Sequence, residues 1–177
     1  ERVVRRPPGA LSSLAVEPMT TGAIHATAAA GGDRLAVGAQ GKLLAWTGGG
    51  FTAQPSPTKR DLRAVWLAPG GGDGWVGGDD GVLLRRQALG WAQWPTSLPQ
   101  TVVALAGRAT DDVWAADDLA QLHHWNGAAW QAQPGPWPAA QAKEPATPQA
   151  GPPAKKVRAL WQAPGGELWL AGDAGTL

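Results

Sequence analysis

Residues 111–130, DDVWAADDLAQLHHWNGAAW, read as a strand, an acidic turn, a second strand and a hairpin closed by Asn126 and Gly127. Three other segments repeat the plan. They are LAVGAQGKLLAW (35–46), WVGGDDGVLLRR (75–86) and WLAGDAGTL (169–177), set against WAADDLAQLHHW (114–125) in the quoted stretch. Gly38, Gly78, Asp117 and Gly172 then share one position, at spacings of about 40 residues and, across an insertion, about 55.

A period of this length built from short strands predicts a β-propeller blade rather than a turn of helical solenoid. Each full repeat has four runs of strand length joined by Gly, Asn or Asp turns, which is the pattern of an antiparallel meander. The expected fold is therefore all-β, a β-propeller of four-stranded antiparallel blades with about three and a half blades present, a partial ring. Blades are placed at about 23–57, 62–98, 102–133 and 157–177, after an N-terminal arm and outer strand over 1–22. In that arm ERVVRRPPG (1–9) reads as a solvated basic linker, and LSSLAV (11–16) as one strand. LRAVWLA (62–68) and VVALA (102–106) are nearly continuous apolar runs, as expected of strands covered on both faces. AVWLA (64–68), VVALA and VRALW (157–161) are predicted innermost. Trp75, Trp114 and Trp169 recur at one position and are expected in the seams between blades, with Gly77 and Gly78 allowing close approach.

The unit A-[VL]-W…G-x-x-D-x-W-x-x-G-D-x-G-x-[IL]-L-x-W…G…W resembles the Trp- and Gly-rich propeller repeats of bacterial proteins. Those repeats shade into Asp-box propellers and propellers similar to photosystem II assembly factors. The resemblance covers about residue 23 to 177 outside the insertion, and it implies a fold rather than a function, because these repeats are structural. No copy has the Ser-x-Asp-x-Gly-x-Thr-Trp of a true Asp box, and NGAAW (126–130) keeps only its Gly and Trp.

Composition narrows the function. Fifteen Lys and Arg against fourteen Asp and Glu give a net charge of +1, too small a field to recruit nucleic acid or an anionic membrane. No apolar run approaches the roughly 20 residues of a membrane-spanning helix. With no Cys there is no disulfide and no thiolate chemistry, and with no Tyr there is no sialidase-like nucleophile. The acidic candidates for a glycosidase pair, Asp79, Asp80, Asp117, Asp118 and Asp173, all lie in the turn after the second strand, where Asp is favoured for backbone reasons. Adjacent His123 and His124 point to opposite faces of a strand, and His25 is two blades away, so no metal site is expected.

No catalytic residue, cofactor or metal ligand is therefore assigned. The Pro-rich insertion 134–156, PGPWPAAQAKEPATPQAGPPAKK, is read as an extended loop, with Trp137, Lys155 and Lys156 as partner-binding candidates. The expected function is a non-catalytic scaffold or assembly subunit that binds protein, with ring completion by further chain or another subunit. The alternative is a carbohydrate-binding or carbohydrate-cleaving surface propeller, for which Trp91, Trp94 or Trp130 exposed beside carboxylates would be the sign. An extracytoplasmic place, periplasm or cell surface, is favoured.

Overall fold

The chain is described by a computed structural model covering residues 22–87, 90–96, 98–134 and 156–172. The first sheet is β1 (Ile24–Ala30), β2 (Asp33–Gly38), β3 (Lys42–Trp46) and β4 (Phe51–Ala53). The second is β5 (Leu62–Leu67), β6 (Gly74–Gly78), β7 (Leu83–Gln87) and β8 (Gly90–Gln93). The third is β9 (Val102–Ala109), β10 (Asp112–Asp117), β11 (Leu122–Trp125) and β12 (Trp130–Gln133). A two-stranded sheet follows, β13 (Val157–Gln162) and β14 (Leu168–Gly172). Every pairing is antiparallel between neighbours in sequence, so each sheet is a meander.

The sheets are propeller blades, as expected. Their first strands pack in succession, β1 against β5, β5 against β9 and β9 against β13, which makes those strands innermost. The predicted runs 64–68, 102–106 and 157–161 lie on β5, β9 and β13.

Two-sided burial explains the continuous apolar strands. In the second blade, Val76 and Leu84 face back onto Leu35, Val37 and Leu43 of the first, while Trp66, Trp75 and Leu83 face forward onto Val102, Val113, Ala115 and Trp125 of the third. A third seam joins Ala104, Ala116 and Leu122 to Val157 and Leu170. Neighbouring residues on one strand thus serve opposite seams, and neither face needs to be polar.

The middle seam is the most aromatic. Trp75 is fully buried, and the rings of Trp94, Trp125 and Trp130 lie 5.5, 5.0 and 5.1 Å from it, centre to centre. Arg85 spreads its guanidinium 5.3 Å from the Trp75 ring and 5.2 Å from that of Trp125, an arrangement stabilised by the ring quadrupoles. Trp114 differs from its sibling, half-buried with its ring stacked 4.5 Å from that of His124.

Trp169 departs from the expected burial. It is 55% exposed, and Trp161, its partner across β13 and β14, is 57% exposed. The equivalent pair Trp66 and Trp75 is covered by the third blade. Among the described residues no sheet lies forward of β13 and β14, so the same side chains stay in solvent.

Glycine is required where strands meet without room for a side chain. A β-carbon at Gly38, Gly78 or Gly172 would sit 2.0, 2.2 and 2.2 Å from the carbonyl oxygens of Ala23, Asp61 and Lys156. At Gly77 it would sit 2.4 Å from Val102 Cγ1 in the next blade. Gly77→Val is accordingly expected to lower stability by about 1–3 kcal/mol through overpacking. Gly49→Ala, where no atom lies within 4 Å, should change it by less than about 0.5 kcal/mol. Urea unfolding of the two variants beside the parent chain checks the contrast; equal effects would mean the seam is not close-packed there.

Candidate functional site

One irregularity recurs in all four blades. Ile24 pairs with Gly38 but Ala26 with Val37, so His25 is left over. In the same way Arg63 is left over between the pairs Leu62–Gly78 and Ala64–Gly77, Val103 between Val102–Asp117 and Ala104–Ala116, and Arg158 between Val157–Gly172 and Ala159–Ala171. Each is the extra residue of a β-bulge, a device that re-aims a side chain out of the regular alternation. The four bulge residues come together where the first strands converge, around a cavity of about 660 Å³ that Ile24, Asp79, Thr101, Asp118, Lys156 and Val157 complete.

The turn after the second strand supplies the acids of this site. In the first two blades it holds a residue in the left-handed region, Gln40 at φ 56° and Asp80 at φ 54°, conformations that Asp tolerates through its short polar side chain. The amides at equivalent places donate to the residue before the first strand: Ala39 to Ala23 O, Asp79 to Asp61 O and Asp118 to Thr101 O, each at 2.9 Å. Asp79 and Asp118 are thereby fixed beside the bulges. Asp79 accepts from Arg63 Nε and, at 3.2 Å, from its Nη2, while Asp61 lies 3.6 Å from the same guanidinium. This bidentate contact with Asp79 is the largest influence holding Arg63 above its ordinary pKa. His25 donates through Nδ1 to Leu62 O at 3.0 Å, tying the first blade to the second.

In the third blade the pattern breaks. Val103 stands where the second blade has Arg63, and Asp118 Oδ1 is buried without a hydrogen-bond partner. Beside it, Leu119 is 61% exposed. Among the described residues the rim thus carries three cations, Arg63, Lys156 and Arg158, with the carboxylates of Asp79 and Asp118, and one oxygen of Asp118 is unpaired.

No family model matches the chain, and no curated protein matches it. Among solved structures, that of YCF48 bound to a D1 peptide superposes with a TM-score of 0.50 at 16% sequence identity. The match covers 80% of this chain and 59% of the other, so the chain spans about three-fifths of that neighbour's length. At this identity the likeness shows the fold: the chain is similar to a β-propeller.

Of the partner-binding residues expected from sequence, Lys156 lies on the wall of the axial cavity. Trp137 and Lys155 fall outside the described residues, as does Asp173. His123 and His124 turn to opposite faces, His123 Nε2 to Asp117 Oδ2 at 3.3 Å and His124 Nε2 to Asp112 Oδ1 at 2.7 Å. Asp117 also accepts the Leu119 and Gln121 amides, at 3.0 and 2.8 Å, so it closes its turn. Asp80 pairs with Arg60 at 2.8 Å. Trp94 and Trp130 pack on Trp75 inside a seam and form no exposed platform for a sugar. The bulge residues were missed because a bulge is invisible to strict alternation; the signal available was a polar residue second in three of the inner strands, His25, Arg63 and Arg158.

A second polar cluster sits at the other end of the inner strands. Asp33, Asp73 and Asp112 each stand two residues before the repeat's Trp position. Asp33 reaches the next blade, accepting from Arg86 Nη1 at 2.6 Å and Gly72 N at 3.1 Å. Asp73 pairs with Arg85 at 3.1 Å. Asp112 accepts from His124, from Arg108 Nε and, across the seam, from Gln162 Nε2 at 3.1 Å, beside a cleft of about 810 Å³.

These acids act as staples, and their titration follows. Burial pushes Asp112 up, but the bonds from His124, Arg108 and Gln162 together hold it below its ordinary 3.8. Asp33 is lowered chiefly by its bond from Arg86. A carboxyl whose folded pKa is depressed adds stability above its unfolded value and loses it as pH falls through the folded one. Melting temperature should therefore drop as pH is taken below about 3.8, and Asp112→Asn should flatten that dependence. At pH 7 the variant should be less stable by roughly 1–3 kcal/mol. An unchanged acid profile in Asp112→Asn would show that other carboxylates carry it.

Proposed function

We propose that the chain is a non-catalytic propeller that binds a segment of another protein on its axial face. The observation that carries this is the repeated bulge. Four successive blades each place one bulge residue, His25, Arg63, Val103 and Arg158, on the wall of a single cavity. A cavity of this size with charges of both signs and apolar Ile24, Val103 and Val157 on its wall suits a polar peptide segment. Support comes also from the structural neighbour, which is bound to a peptide. Asp79 on the rim is engaged in an ion pair with Arg63, an arrangement that favours recognition over proton transfer. Trp137 and Lys155 belong to the same proposal as further partner contacts, as does a role in assembly.

The test begins with hexapeptides selected from a random displayed library on the 177-residue chain, followed by mapping of amide shifts. Shifts should centre on residues 25, 63, 103 and 158. His25→Trp, which places a bulky ring on the rim, should weaken the selected peptides at least about tenfold while the chain stays folded, at the loss of one inter-blade hydrogen bond of about 1 kcal/mol. Peptides that footprint elsewhere, or that bind His25→Trp equally well, would defeat the axial assignment.

A further inference from the structure

We infer that Asp118 is the anchor of the axial site and receives a basic side chain, Lys or Arg, from the bound segment. This rests on the axial face being the binding surface and adds the chemistry of its partner. The argument comes from comparing the second and third blades position by position. Arg63 and Val103 are the same bulge residue, and Asp79 and Asp118 the same turn residue, their amides held alike by Asp61 O and Thr101 O at 2.9 Å. In the second blade the bulge supplies a guanidinium, and Asp79 accepts from it through both oxygens.

In the third blade the bulge supplies an isopropyl group. Asp118 keeps its place on the cavity wall, and its Oδ1 is buried with no hydrogen-bond partner. A carboxylate oxygen withdrawn from water and left unpaired is costly, whereas turning the carboxyl toward a cation that arrives from the cavity, in the bidentate geometry of Arg63, would satisfy it. The flanking surface fits the rest of such a side chain. Val103 lies on the cavity wall beside Asp118, so its isopropyl group can cover the aliphatic stem of a Lys or Arg. The second blade shows the complex that the third blade lacks.

The repeat also supplies its own control. Val103→Arg should place a guanidinium on Asp118 as Arg63 places one on Asp79, closing the site from within while preserving the fold. Asp118→Asn should remove the charge without filling the space. The probe is a blocked Gly-Gly-Arg-Gly-Gly peptide, with the same peptide carrying citrulline as the uncharged counterpart, titrated into the full chain and followed by amide shifts at 103, 118 and 119.

The Arg peptide should bind the parent chain about ten- to a hundredfold more tightly than the citrulline peptide, the range expected of a hydrogen bond to a charged group. Both variants should abolish that preference, and Val103→Arg should melt no lower than the parent. Equal binding of the two peptides, or a preference retained in Asp118→Asn, would overturn the inference. Should Val103→Arg fail to fold, the Asp118→Asn comparison decides alone. Selected hexapeptides that footprint on the axial face but lack Lys and Arg would sink this inference and leave the proposed function standing; absence of any axial footprint would sink both.

Discussion

The face-to-face burial of one blade on the next is the interaction on which the remaining structure depends. A strand in the second blade gives Val76 to one neighbour and Trp75 to the other, and both are fully buried. Neither sheet face can be wetted without exposing a row of such side chains, each worth a few kcal/mol in transfer from water. Sheet stacking therefore fixes the succession of blades. Polar links then refine the fit: Trp66 Nε1 donates to Gly107 O at 2.8 Å and His25 Nδ1 to Leu62 O, each crossing a seam. The exposed Trp161 and Trp169 show what the same surface looks like where, among the described residues, no blade lies in front of it.

Much of this architecture was legible because propeller repeats carry their signals locally. The Gly and Asp turns, the alternating seams and the recurring Trp are each set by a few adjacent residues, so superposing the turns of 35–46, 75–86, 114–125 and 169–177 was enough to recover the strands. The burial of Trp169 was not recoverable, because it depends on what lies in front of the sheet rather than on the residue's own segment. The role of Asp33, Asp73 and Asp112 was hidden for a similar reason. Their spacing from the Trp position is plain in sequence, but Asp33 and Asp112 bind across seams to Arg86 and Gln162.

The candidate site was less legible still. Strict alternation predicts that residues 25, 63, 103 and 158 face a seam, since their neighbours do. The bulge adds one residue to the first strand and so shifts parity, which a period-two pattern cannot express. His25 and Arg63 are polar in otherwise apolar strands, and that mismatch was the available clue. Val103 offered none. Its meaning emerges only when it is set against Arg63 in the folded repeat.

This parity shift separates the part of each blade that must be kept from the part that can vary. The residue before each bulge, Ile24, Leu62, Val102 or Val157, is aliphatic in every copy, and Leu62, Val102 and Val157 are buried in seams. A change there alters volume inside a close-packed interior and is felt directly. The bulge residue itself lines the axial cavity, and across the four blades it is His, Arg, Val and Arg. Its identity can change without disturbing the stacking that holds the ring together, because the ladder resumes at the next residue whatever side chain the bulge carries. A set of positions that accepts His, Arg or Val, is repeated once per blade and converges on one cavity is therefore the place where a propeller of this kind can alter what it recognises while keeping its fold.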